Sequence, residues 1–120
     1  MPSKNIVKQY LENSFYHIYN RGVEKRNIFL DEQDYAVFIK YLRQYLDPSL
    51  WSDPKIKSKS LANDIHLVSY CLMPNHFHLL IRQTSKLAIT KLMRSVCTKY
   101  VTYFNAKYER VGGLFQGTYK

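Results

Sequence analysis

From His76 to Ile81 the chain reads His-Phe-His-Leu-Leu-Ile, directly after the dipeptide Pro74-Asn75. No other stretch constrains the fold as much. In an extended strand alternate side chains share a face, so His76 and His78 project together while Phe77, Leu79 and Ile81 face a core. Two neighbouring imidazoles on a rigid strand supply half of a divalent-metal site. The same spacing also describes two polar residues on the solvated face of an edge strand, and His-x-His is short enough to recur by chance. Spacing alone leaves both readings open.

The flanking sequence places that strand. Ile65 to Met73 reads as a long buried strand, and Pro74-Asn75 is turn chemistry, so the two strands form an antiparallel hairpin. Ser14 to Asn20 is β-rich and reads as a first strand. Arg21-Gly22 ends it, Gly22 admitting a backbone turn that other residues resist. Val23 to Leu30 is then a loop carrying Lys25 and Arg26. Asp31 caps a helix whose first turn holds Glu32 and Asp34. Tyr35, Phe38, Ile39, Leu42, Tyr45 and Leu46 recur at helical spacing, and Pro48 stops the helix.

Residues 49–63 lack periodicity and read as a long loop, with Pro54, Lys55, Lys57 and Lys59, in which Trp51 argues for local packing. Residues 1–13 read as a loose arm or a short helical turn. Thr84-Ser85 offers a cap for a second helix from Leu87 to Ala106. Its stripe is Ile89, Leu92, Met93, Val96, Tyr100, Tyr103 and Phe104; Lys91, Arg94, Ser95, Thr98 and Thr102 fall opposite. Gly112-Gly113 breaks the pattern, and Leu114 to Lys120 reads as a fourth strand. The order β-α-β-β-α-β predicts one α+β domain over residues 1–120, a ferredoxin-like split β-α-β antiparallel sheet with helices on one face.

Charge narrows the partner. The 120 residues carry 18 Lys and Arg against 9 Asp and Glu, a formal net charge of +9. So short and so basic a chain points to a polyanion. It also has 11 tyrosines and 6 phenylalanines. Cations with interleaved aromatics suit single-stranded nucleic acid, although many of these rings belong to the core. Lys25, Arg26, Lys91, Arg94, Lys99 and Arg110 are phosphate-contact candidates on charge. Cys71 and Cys97 sit in apolar patterns and read as small buried hydrophobes in a reducing compartment. No apolar run approaches the ~20 residues that span a bilayer, and no signal peptide is visible. The expected location is the cytoplasm, with no membrane partner.

Three segments then carry a resemblance: Tyr16-His-Ile-Tyr-Asn-Arg-Gly22, Leu72-Met-Pro-Asn-His-Phe-His-Leu-Leu80 and Gly113-Leu-Phe-Gln-Gly-Thr-Tyr119. Together, and in this order, they resemble the IS200-like, single-tyrosine transposases, and in particular the branch associated with repetitive extragenic palindromes. The middle segment is the His-hydrophobe-His motif of that family. The resemblance implies a nuclease-type fold and strand cleavage and transfer on single-stranded or hairpin DNA in DNA transposition. It implies a divalent metal, Mg²⁺ or Mn²⁺, on His76 and His78, and a homodimer. The resemblance further implies that a tyrosine hydroxyl attacks the scissile phosphate, giving a 5′-phosphotyrosine and a free 3′-OH. Asn20, Arg21 and Gly22 match a motif near guide DNA; the plain alternative is a strand-ending turn.

In the family the nucleophilic tyrosine lies on a further helix, which places it C-terminal to Lys120. The third metal ligand often supplied by that helix is expected there as well. The expectation is that this chain alone binds DNA without cleaving it. Tyr100 and Tyr103 have core spacing, His17 and His66 read as structural, and Asn75 as a turn residue. Two other classes compete. One is a catalytically inactive nucleic-acid-binding module whose histidines hold no metal. The other is a ferredoxin-like RNA-binding domain, which needs exposed aromatics on the sheet, with Tyr16, Tyr19 and Tyr70 as candidates.

Overall fold

A computed structural model of the chain describes residues 14–47, 61, 64–85 and 87–119. The arm at 1–13 and the polar loop at 49–63, apart from Leu61, lie outside the described residues, as does Trp51. Three strands form one antiparallel sheet: β1 (Ser14–Arg21), β2 (Ile65–Met73) and β3 (His76–Gln83), in the order β1-β3-β2. The His-x-His strand is therefore central. It pairs with β2 through the two-residue turn at Pro74-Asn75, from Met73↔His76 onward, and with β1 from Arg21↔His76 to Ser14↔Gln83.

Two helices, α1 (Glu32–Leu46) and α2 (Ala88–Lys107), cover one face of the sheet. Ile18, Phe77, Leu79 and Ile81 join Phe38, Leu42, Leu92, Met93, Val96, Tyr100 and Phe104 in a single core. Burying side chains of this size stabilises the fold by roughly 1.5–3 kcal/mol each. The fold is α+β, as the element order predicted.

Aromatic rings bind the layers together. Phe38 meets Phe77 at 5.2 Å and Tyr100 edge-on at 5.3 Å. The buried Tyr100 hydroxyl donates to the Ile28 carbonyl, tying α2 to the segment before α1. Asp31 caps α1, and Asp34 completes a capping box. Asp34 is fully buried and accepts from Tyr103 (2.6 Å), Tyr108 (2.5 Å), Lys107 (2.9 Å) and the Leu30 amide (2.9 Å). Burial by itself would raise its pKa. The two phenols, Lys107 and the amide outweigh burial and hold the carboxyl at about 2.

Four expectations change. The segment expected as a fourth strand makes one isolated bridge, Phe115 with Gly22, at the β1 edge. Gly117 there adopts a φ of 69°, which an extended strand does not. β2 is apolar yet largely exposed, because it is an edge strand that the helices barely cover; Cys71 stands exposed on it, while Cys97 is half-buried. Thr84 and Ser85 do not cap α2 with their side chains; the Gln83 amide oxygen accepts from the Ile89 N–H at 3.1 Å instead. Finally, Gly22 has φ −64°, open to any residue. It is glycine because a Cβ there would run into the Arg26 carbonyl and the Ile28 side chain.

A candidate metal and nucleic-acid site on the open sheet face

The face opposite the helices is uncovered. Strand parity places Phe15, His17, Tyr19 and Arg21 of β1 there, beside His76, His78, Leu80 and Arg82 of β3. His76 and His78 are brought together as their spacing requires, with ring centroids 5.0 Å apart and planes at 90°. The Nδ1 of His76 donates to the Asn75 Oδ1 at 2.7 Å. An amide oxygen can only accept, so the neutral ring carries its proton on Nδ1 and leaves Nε2 as a lone-pair donor. His78 faces His17, with its Nδ1 2.7 Å from the His17 Nε2 and the ring planes within 10°. Burial first, then the neighbouring charges of His17 and His76, hold the His78 pKa below the ordinary imidazole value. That favours the neutral form a metal requires.

Two neutral imidazoles on one strand fit half the donor set of a Mn²⁺ site; Mg²⁺, which prefers oxygen, fits less well. Among the described residues, no group of three or more His, Cys, Asp or Glu is placed to hold a metal ion.

The DNA-contact candidates separate into three groups. Arg21 lies on the open face in register with His76, its Nε donating to the Gln116 Oε1 at 2.9 Å. Lys25 and Arg26 are exposed just beyond β1. Asn75 reaches the Lys25 carbonyl at 3.4 Å, so this turn adjoins the histidine end of the sheet. Lys91, Arg94 and Lys99 lie on α2, across the sheet from the histidines. Lys99 sits 4.9 Å from the Tyr45 ring centre. Arg94, with Asn20, Met93, Cys97, Phe115 and Tyr119, lines a groove of about 610 Å³ on the helical side.

The last group is structural. Asn20 is 5 % exposed and faces the helices. Its amide donates to the Gly117 carbonyl (3.2 Å) and accepts from the Arg21 N–H (2.9 Å), so it anchors the tail. Gly22 is buried by its close approach to Arg26. Arg110 binds the Asn105 side chain (2.9 Å) and the Gly113 carbonyl (3.0 Å) of its own loop.

The sequence alone reads His17 as structural and Asn75 as a turn residue, and gives Gln116 no role. His17 shares the parity of Tyr19 and Arg21, and that signal was present. The pairing of β1 with β3, which gives it meaning, was not. Of the aromatics expected on the sheet, Tyr19 is on the open face and Tyr16 is not. Tyr70 pairs opposite Leu79, on the helical side. Phe15, 62 % exposed, joins Tyr19 instead.

Comparison with known proteins bears on this arrangement. A family model described as "Transposase IS200 like" matches residues 10–120. The chain belongs to the IS200-like transposase family. No curated protein matches it significantly. The fold of this IS200-like chain is similar to that of a REP-associated tyrosine transposase bound to a REP hairpin. The TM-score is 0.65 at 9% identity, over 98% of this chain and 60% of that one. It is also similar to a crystal structure assigned as a transposase of Deinococcus radiodurans R1. There the TM-score is 0.60 at 16% identity, over 97% of this chain and 82% of that one. At such identities the structural likeness concerns the fold, and the chain spans only 60% of the REP-associated transposase. In the IS200-like chain, no helix among the described residues is long and apolar enough to cross a membrane.

Proposed function

We propose that this IS200-like chain recognises single-stranded or hairpin DNA and presents one phosphate to a divalent cation held by His76 and His78, for strand cleavage and transfer in DNA transposition. The supporting observation is the pair of imidazoles on the central strand, 5.0 Å apart on an open face, with His76 oriented by Asn75. A cation there supplies Lewis-acid polarisation of the phosphate. The chain's own residues do the remaining work. Arg21, Lys25 and Arg26 offer charge to flanking phosphates, and Phe15 and Tyr19 offer stacking surfaces to unpaired bases.

The nucleophile in this reading is a tyrosine C-terminal to Lys120. Tyr100 and Tyr103 are packed among the helices. Tyr19, 5.8 Å from the His78 ring, is taken as a stacking residue. The reading includes a homodimer, testable by light scattering with and without DNA, and a location in the cytoplasm.

Residues 1–120 are expected to bind hairpin DNA and, with Mn²⁺, to form no covalent adduct; an adduct on any tyrosine would overturn that part. Mn²⁺ should raise the melting temperature of the wild type and leave His76→Ala unchanged. Equal shifts would remove the metal and favour a metal-free binding module. The exposed Phe15 and Tyr19 also suit an RNA-binding sheet, so a hairpin RNA of the same sequence is the necessary competitor. Tighter binding of the RNA would displace the transposase reading.

A further inference from the structure

The contact between His17 and His78 has no part in the proposal above, yet its geometry is restrictive. The His17 Nε2 and the His78 Nδ1 are 2.7 Å apart. One proton must lie between them: two N–H groups would clash, and two bare nitrogens would repel. Only two arrangements are possible for neutral rings. If His17 donates, His78 carries its own proton on Nε2 and cannot present that nitrogen to a cation. If His78 donates, its Nε2 is bare.

The neighbouring residue shows which arrangement suits a shared cation. His76 already donates through Nδ1 to Asn75, so its free nitrogen is Nε2. The second arrangement gives His78 the same tautomer as His76. Each histidine on β3 would then have its own acceptor: Asn75 from the turn, and His17 from the adjacent strand. Ligand imidazoles are generally fixed by such an acceptor on the far ring nitrogen.

We infer that His17 is a positioning residue: its Nε2 accepts the Nδ1–H of His78 and so aims the His78 Nε2 at the cation. This rests on the metal reading above. His17 does not itself ligate. Tyr19 stacks on it at 5.2 Å, which further fixes the ring.

The test uses the 120-residue protein, Mn²⁺ alone as the probe and two measurements. Titration calorimetry should show Mn²⁺ binding to the wild type and none to His76→Ala. His17→Ala should weaken it by about 10–100-fold. His17→Gln, whose amide oxygen can accept the same proton, should recover most of the loss. Separately, ¹⁵N spectra of the metal-free wild type should show His78 protonated at Nδ1. That preference should be lost in His17→Ala.

Wild-type Mn²⁺ affinity in His17→Ala would overturn the assignment, as would a His78 protonated at Nε2. Failure of His17→Gln to recover binding would overturn it too, by making His17 a ligand or a packing residue. A wild type that binds no Mn²⁺ would instead sink the metal reading, a result separable from all three because the ¹⁵N tautomer is read without metal.

Discussion

Asp34 is the residue on which both helices converge, and its energetics are the most accessible to measurement. Exchanging it for an amide leaves one accepting oxygen for two phenols, the Leu30 amide and Lys107, which keeps its ion pair with Asp31. Asp34→Asn is expected to cost roughly 3 kcal/mol in urea unfolding. Its pKa is depressed in the folded state to about 2, against an ordinary value of about 4. The associated stability is therefore present above pH 4 and lost as pH falls toward 2, amounting to roughly 2 kcal/mol. Thermal melts between pH 4 and 2 should show that loss in the wild type, and a shallower one in Asp34→Asn. The two cysteines separate just as clearly. Burial pushes the Cys97 thiol up to about 12, whereas Cys71 is exposed. At neutral pH a maleimide should label Cys71 and spare Cys97, as read by peptide mass spectrometry. At this scale the sequence was legible wherever parity decided. His76 and His78 share a face because one residue, Phe77, separates them. The same rule put Asn20 with Ile18 on the inner side, although the motif around it pointed to DNA. His17 reads as structural because the contact that singles it out is with a residue 61 positions away.

Elements were read well where their ends carry their own chemistry. Asp31 announced α1, and Pro74-Asn75 announced the hairpin. Elements defined by what lies beside them were read less well. The apolar composition of β2 predicted burial, but an edge strand is buried only where a helix reaches it. Leu114 to Tyr119 has strand-like residues and forms only a bridge; the Asn20 and Arg21 side chains hold it, together with two backbone hydrogen bonds, one at Arg21 and one from the Val23 N–H to the Leu114 carbonyl. Arg21 accepts the Gln116 N–H at 2.8 Å. Gly22 offers the sharpest test here. Its backbone conformation is ordinary, so a penalty for Gly22→Ala can come only from crowding against Arg26 and Ile28. A loss of about 1–3 kcal/mol is expected in urea unfolding. A neutral substitution would show that the turn relaxes freely.

For the whole molecule, the informative quantity is how the +9 charge is distributed. Arg21 and Lys25 gather at the histidine end, Arg26 turns its guanidinium to the Phe104 ring of α2 at 6.0 Å, and Lys91, Arg94 and Lys99 lie behind the sheet. DNA that crosses the open face should feel the first group. Arg21→Ala and Lys25→Ala are each expected to lower the slope of log K against log salt by about 1 for hairpin DNA. Lys91→Ala should leave it unchanged; an equal effect would mean that the strand wraps around both layers. The overall α+β arrangement was visible in the element order, but this division of charge needed the helices placed on the far side from His76. Val68 sets a last constraint. The register passes from Leu67↔Ile81 to Ser69↔Leu80, leaving Val68 as one residue too many. Because of it, His66 and Cys71, an odd number of steps apart, look the same way. Flatten that bulge without removing a residue and the border strand faces a choice of allegiance: keep Leu67 turned inward, or keep Cys71 beside His78, but not both. A one-residue slip of register there would rewrite the molecule's inside and outside while leaving its list of elements intact.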